Sequence, residues 1–254
     1  MENIFSIKDK IVIVTGAGRS IGYHLACSLA KHDALVYAVD VKFPYKIPEE
    51  ISANLTQIRC DITNYKKFQN LCKKIFSKHG RIDVLVNNAG ISKASENSGQ
   101  LYSQKNWLKT VGVNLTGSFY CSQAVIRYML KKRSGSIINI TSINAELGFP
   151  RNPSYNASKG GLKLLTKALA KDWSRFGIRV NSIGPGYIKT EMTIKRFMNK
   201  KTMLERQNRT LLGRWGEPDD LVGPCVFLAS DASKYMTGQD IYVDGGWLAN
   251  SGIA

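Results

Sequence analysis

The sequence predicts an α/β fold, a doubly wound parallel sheet forming a single domain over residues 1–254. Three observations predict it. Short β-branched runs alternate with segments whose apolar residues recur at helical spacing. A glycine-rich turn joins the first such run to the first such segment, and the alternation continues along the chain without linker, repeat or low-complexity break.

The elements follow in order. Ile11-Val12-Ile13-Val14 has the continuous apolar character of a strand buried on both faces. Thr15-Gly16-Ala17-Gly18-Arg19-Ser20-Ile21-Gly22 comes next, and Ile21, Leu25, Leu29 and Ala30 then repeat at helical spacing, giving strand, glycine turn, helix. Such a turn lets backbone N–H groups and the positive end of a helix approach a pyrophosphate, because no Cβ stands in the way. The glycines fall at 16, 18 and 22, a spacing other than G-x-G-x-x-G. Leu35 to Val39 reads as the second strand, with Asp40 at its carboxyl end, where a carboxylate accepts hydrogen bonds from an adenosine ribose and repels a 2′-phosphate. That favours NAD over NADP, while Arg19 and Lys42 pull the other way. Two prolines between Lys42 and Pro48 predict that the following crossover helix is short or replaced by loop. Val84-Leu85-Val86 reads as a further strand.

Tyr155 and Lys159 then stand one helical turn apart in Ser154-Tyr155-Asn156-Ala157-Ser158-Lys159, thirteen residues and more beyond Ser142. Positions i and i+4 share a helix face, so an ammonium there favours the ionised form of the phenol and makes a base of it. The Ser142 hydroxyl is a candidate for holding a substrate oxygen while Tyr155 takes its proton.

Together these segments resemble a short-chain dehydrogenase/reductase of the compact, single-domain kind with a Rossmann-type sheet, from about Lys8 to Trp247. Thr15 to Gly22 resembles the family's TGxxxGxG turn, with Ser20 where glycine or alanine is usual. The resemblance implies cofactor contacts from Gly16, Arg19, Ser20, Ile21 and Gly22, from Asp40 at the ribose, and from Asp61 and Ile62 at the adenine. Asn87-Asn88-Ala89-Gly90 resembles the NNAG element, implying that Asn88, Ala89 and Gly90 line the adenosine pocket. Pro185, Gly186, Ile188 and Thr190 match the segment that reaches the nicotinamide carboxamide. Asn114, Ser142, Tyr155 and Lys159 match the four catalytic positions.

The implied reaction is hydride transfer between a nicotinamide and a secondary alcohol or ketone. Tyr155 would exchange the alcohol proton, Ser142 would orient or polarise the oxygen, and Lys159 would hold the nicotinamide ribose and, with the cationic ring of the oxidised cofactor, lower the tyrosine pKa. Asn114 would kink its helix and start a proton relay; as a buried asparagine it would equally satisfy backbone groups. NAD is the expected cofactor, NADP the less expected one. The segment from Leu212 to Pro218 is most similar to members acting on sugar acids and polyols, such as gluconate 5-dehydrogenases, with an NADPH-using 3-oxoacyl-carrier-protein reductase as the alternative. A catalytically silent cofactor-binding scaffold is the alternative of another class, and the intact set of four residues argues against it.

Substrate contacts are sought on the loop between Ser142 and Tyr155, where Arg151 is a candidate anion contact and Asn144 and Glu146 either bind sugar hydroxyls or fix the loop. The family's substrate lid corresponds to residues 187–215. There Lys189, Lys195, Arg196, Lys200, Lys201, Arg206, Arg209 and Arg214 face only Glu191 and Glu205, which predicts an anionic substrate or else a solvated helix face. The stretch Ile91 to Lys105 reads as polar and longer than usual in the family.

With 36 Lys and Arg against 19 Asp and Glu the net charge is +17, a statement about association and not about fold, and no nucleic-acid motif accompanies it. Five cysteines without C-x-x-C spacing suit a reducing cytoplasm, and the three scattered histidines suggest no metal site. No apolar run is long enough to span a bilayer, and the N-terminus does not read as a signal peptide, so the expectation is a soluble cytoplasmic protein. By analogy with the family, the last strand and the helices around Phe119–Leu130 and Leu162–Trp173 imply a homotetramer. The tail Leu248–Ala254 is a candidate for reaching a neighbouring subunit.

Overall fold

The computed structural model describes residues 3–94 and 99–250. In chain order the principal elements are β1 (Ile11–Thr15), α1 (Ser20–Lys31), β2 (Leu35–Asp40), β3 (Leu55–Arg59), α2 (Tyr65–His79), β4 (Val84–Asn87), α3 (Gln104–Val111), α4 (Ser118–Lys132) and β5 (Gly135–Ile140). They continue with α5 (Pro153–Trp173), β6 (Ile178–Pro185), α6 (Ile194–Met198), α7 (Lys200–Asn208), α8 (Val222–Ala229) and β7 (Asp240–Val243). All seven strands pair in parallel in the order β3-β2-β1-β4-β5-β6-β7. The chain winds outward from β1 to β3, returns to the other side of β1, and continues through β7. The order therefore reverses between β1 and β4, and a crevice opens there beyond the carboxyl ends of the strands.

The period-2 alternation of strand side chains builds a core on each face of the sheet. Val12, Val14, Val36 and Val86 pack with Leu25 and Leu29 of α1 and Leu228 of α8. Ile11, Ile13, Val39 and Leu85 pack with Phe68 and Ile75 of α2 and Val125 and Met129 of α4. This is why the strands read as continuous apolar runs: both faces are covered. The crossover between β2 and β3, expected to be short because of its prolines, holds one three-residue 3-10 turn, Glu49–Ile51. All five cysteines are buried and free. Among the described residues no helix is long and apolar enough to cross a membrane, and no group of three His, Cys, Asp or Glu residues could hold a metal. Part of the Ile91–Lys105 stretch and residues 251–254 of the tail lie outside the described residues.

Candidate active site

Because every strand runs the same way, the residues that follow β1 to β6 collect along one edge of the sheet. The first is the glycine turn. Gly16 adopts φ +66°, and a Cβ on it would lie 2.6 Å from Ala89 Cα, so the turn and the Asn88-Ala89 segment pack backbone to backbone. A Cβ on Gly22 would collide with the Gly16 carbonyl and the Asn88 amide. Asn88 braces the arrangement by donating from Nδ2 to the carbonyls of Thr15 (3.0 Å) and Gly16 (3.1 Å). Thr15 Oγ1 in turn accepts from the N–H groups of Asn88 and Ala89.

No side chain caps α1 and its first turn carries no acidic residue, so the N–H groups around Ser20, Ile21 and Gly22 are left to meet an anion. A bare helix start behind a turn with no room for side chains fits the pyrophosphate of a dinucleotide. Ser20 sits at φ +50°, the left-handed region that glycine adopts freely and other residues rarely do. Serine there carries a backbone cost that glycine would not.

Asp40 ends β2 beside this turn. Its Oδ2 accepts from Gly18 N at 2.9 Å and its Oδ1 from Val41 N at 2.6 Å. Arg19, expected against the cofactor, points its guanidinium at Glu191, with Nη1 3.1 Å from Oε2; the other Glu191 oxygen accepts from Tyr45 at 2.7 Å. Asp61 caps its own turn by accepting from Thr63 N and Oγ1, and buried Ile62 packs against the Cα of Gly117. At the end of β6, Gly186 passes so close to Asp244 that a Cβ would lie 2.7 Å from its Cα. Ile188 is buried, and Thr190 N donates to Thr193 Oγ1.

The second group lies on α5 and its neighbours. Tyr155 is partly exposed, and Lys159 Nζ stands 5.6 Å from the centre of its ring. Lys159 is only 3% exposed and donates to the Ile140 carbonyl at 2.6 Å. Burial pushes its pKa down to about 8. Burial also raises the Tyr155 phenol above its ordinary value, with the neighbouring Ser142 hydroxyl and the charge of Arg196 pulling against it. Lys159 is not among the groups that move the tyrosine pKa in the protein by itself. The ammonium is spent on a main-chain carbonyl, and the low-polarity surroundings disfavour both charges.

Asn114 occupies a widened, π-helical turn, Gly112–Gly117, between α3 and α4. Its Oδ1 accepts from Ile91 N (2.8 Å), and its Nδ2 donates to Ile91 O (3.0 Å) and Ser158 Oγ (3.1 Å). Ser158 donates to the Tyr155 carbonyl at 2.8 Å, so a chain of hydrogen bonds runs from the end of β4 through Asn114 to the helix that carries the tyrosine. Sequence reading passed over Ser158, although its place between Tyr155 and Lys159 was the available signal.

On the loop after β5, Ser142 Oγ donates to Asn144 Oδ1 (3.1 Å), and Asn144 Nδ2 donates to Asn156 (2.6 Å). Glu146 pairs with Lys163 and accepts from Tyr242 at 2.7 Å; the Lys163 hydrogen bond, then that of Tyr242, holds its carboxyl below the usual range. These contacts express the loop-fixing alternative for both residues. Arg151 is exposed, at φ +64°, and forms no ion pair among the described residues. In the 187–215 segment, Arg214 forms a forked pair with Asp220 (2.7 and 2.8 Å) and Lys189 pairs with Glu217. Tyr187, Trp215, Phe197 and Trp247 form an aromatic cluster that sequence reading did not single out, because Trp247 is distant in the chain.

The family model described as enoyl-(acyl carrier protein) reductase matches residues 16–248. The 2-dehydro-3-deoxy-D-gluconate 5-dehydrogenase of Dickeya dadantii is 36% identical over 97% of this chain and 98% of its own. The 3-oxoacyl-acyl-carrier-protein reductase of Thermotoga maritima is 36% identical over 94% and 98%. Among solved structures, a gluconate 5-dehydrogenase from Burkholderia cenocepacia in complex with NADP and tartrate superposes with a TM-score of 0.89 at 33% identity, over 97% and 98% of the two chains. A seven-stranded parallel sheet, a glycine cradle at its switch point and near-full-length likeness to such enzymes place this chain in the short-chain dehydrogenase/reductase family, as an NAD(P)-dependent oxidoreductase acting on CH–OH groups.

Proposed function

We propose that the protein interconverts a secondary hydroxyl and a ketone on a sugar acid, within one catalytic domain, and that Asn114, Ser142, Tyr155 and Lys159 carry the reaction. The observation that bears most weight is Tyr155 beside Ser142, with Lys159 one turn away, at the sheet edge that also holds the glycine cradle. When bound, the dinucleotide supplies the hydride acceptor or donor. In the oxidation direction Tyr155 takes the proton from the substrate hydroxyl while Ser142 holds its oxygen; in the reverse direction Tyr155 returns the proton. Lys159 would hold the nicotinamide ribose when the dinucleotide is bound and would pass the proton onward. Asn114 positions α5 by tying Ile91 to Ser158. The glycine turn, with Ser20 and Ile21, holds the pyrophosphate; Asp40 holds the adenosine ribose; Asp61, Ile62 and the Asn88–Gly90 segment line the adenine side; and Pro185, Gly186, Ile188 and Thr190 meet the carboxamide.

NAD is the cofactor we assign in preference to NADP. Asp40 offers a carboxylate to the ribose, and Arg19, one of the two residues that would answer a 2′-phosphate, is engaged by Glu191, which leaves Lys42 as the other. The NADP in the Burkholderia structure is the counterweight. A 3-oxoacyl thioester reductase is the second reading, favoured by Arg19 in the glycine turn and by the Thermotoga relative. The sugar-acid names among the relatives support the first reading. We also assign a homotetramer joined through α4, α5 and the last strand.

The test is reduced-nicotinamide absorbance with NAD and NADP, each run against sugar acids, polyols and acyl thioesters. NAD-linked turnover of a sugar acid is the expected result. Turnover confined to acyl thioesters with NADPH contradicts the assignment of both substrate and cofactor.

A further inference from the structure

The cationic segment 187–215 contains arginines of different kinds. Arg214 is neutralised by Asp220 and Lys189 is paired with Glu217, so neither is free for a ligand. Arg206, on α7, and Arg209, just beyond it, are different; Arg209 lies 5.3 Å from the Trp247 centroid, and Arg206 alone also lies over Tyr187, the ring next to the Pro185-Gly186 segment. The Arg206 guanidinium lies over the rings of Tyr187 (5.0 Å to the centroid) and Trp247 (5.7 Å), and among the described residues it forms no ion pair. Its Nε is buried without a hydrogen-bond partner. A guanidinium stacked on aromatic faces uses its π surface and keeps its N–H donors in plane, where they form the planar fork that fits a carboxylate.

The surroundings connect this fork with the candidate active site. Tyr187 directly follows Pro185-Gly186, and its ring meets edge-on that of Phe149, whose carbonyl accepts from Asn156, the neighbour of Tyr155. Trp215, against the other side of Tyr187, donates from its indole to Met203 O of α7, which fixes the helix that carries Arg206. The charges of Arg206, Arg196 and Arg209 all pull down on the Tyr187 phenol against its burial, and that of Arg196 also reaches Tyr155. Glu205 opposes the three arginines at Tyr187, and the contacts through Phe149 and Asn156 are what link this cluster to Tyr155.

We propose that Arg206, held over the adjoining rings of Tyr187 and Trp247, is the carboxylate contact that makes this enzyme selective for a sugar acid over a neutral polyol. The inference rests on the reading of the site as a sugar-acid dehydrogenase and adds the residue that recognises the acid. The competing view is that Arg206 only packs α7 onto the aromatic cluster.

The experiment compares gluconate with glucitol, the neutral hexitol of the same chain length, at saturating cofactor, in wild type, Arg206→Met and Arg206→Lys. The expected result is a fall of roughly 10- to 100-fold in the ratio of the two kcat/KM values for Arg206→Met, carried mainly by KM for gluconate, with part of the ratio recovered in Arg206→Lys. A ratio that stays at the wild-type value, whatever happens to the separate rates, overturns the proposal, because packing damage lowers both substrates together. If wild type oxidises neither compound nor any other sugar acid of the panel, the functional reading has failed. The contact is then decided by calorimetric titration of gluconate into the wild-type and Arg206→Met proteins loaded with reduced cofactor. Binding that weakens in the variant supports the proposal, and equal or undetectable binding in both overturns it.

Discussion

At the scale of single residues, a buried lysine and a partly exposed tyrosine share one site. Lys159 is almost fully enclosed, with its ammonium on the Ile140 carbonyl and its pKa pushed from 10.5 down to about 8. A depressed lysine pKa means that folding disfavours the protonated form. Below about pH 8 the folded protein confines a charge that the unfolded chain hydrates freely. This penalty fades as pH rises from 8 toward 10.5. Lys159→Met removes the titration, so the cofactor-free variant is expected to melt above wild type at pH 7, with the gap narrowing as pH is raised toward 10. Thermal melts of both proteins across that range check it, and a gap independent of pH contradicts it. The pairing of Tyr155 with Lys159 was legible in the sequence, because i, i+4 spacing on a helix is a local property. The Ile140 carbonyl that claims the ammonium was not, since it comes from a strand 19 residues upstream and only the folded sheet brings it there.

At the scale of elements, the sheet edge is held by a ladder of buried amides and hydroxyls. Asn87 of β4 donates to Asn139 of β5 (2.9 Å) and to Ser122 of α4 (3.0 Å), and Asn139 donates to Thr166 of α5 (2.8 Å). All four residues are buried, so each bond replaces one that water would otherwise make. The ladder fixes α5, and with it Tyr155, against the strands. Thr166→Val keeps the shape but leaves Asn139 Nδ2 without an acceptor, which is expected to cost about 1–3 kcal/mol and to lower Tm by roughly 2–10 °C. Chemical denaturation and calorimetry measure it; a variant as stable as wild type contradicts the role of the ladder. The strands and the glycine turn were readable from β-branched runs and glycine positions, and the loss of the second crossover helix from its two prolines. The widened turn around Asn114 was expected only as a kink, because a π-helical turn leaves no periodic signature in six residues.

At the scale of the whole molecule, the parallel topology explains why distant motifs converge. Six strand ends and the segments that follow them face one crevice, and the bottom of the sheet carries none of the expected site residues. The charge of +17 was visible from composition, but its distribution was not. Arg19 is taken by Glu191, Arg214 by Asp220 and Lys163 by Glu146, so much of the positive charge near the site is structural. The proposed tetramer has its own marker in Leu164, on α5, 69% exposed in the single chain. An apolar side chain so placed is explained if a neighbouring subunit covers it. Wild type is expected to sediment at four times the mass of the chain and Leu164→Glu at a smaller mass; a monomeric wild type contradicts the assembly.

The central claim is that Tyr155 performs the proton transfer. The most direct measurement is hydride transfer to NAD from the best sugar-acid substrate by wild type and by Tyr155→Phe, with cofactor binding followed in parallel by fluorescence. Removing the general acid–base is expected to lower kcat by a factor of at least about 10² to 10⁴ while cofactor affinity stays within a few-fold of wild type. A phenylalanine variant that binds cofactor and turns over at the wild-type rate contradicts the account.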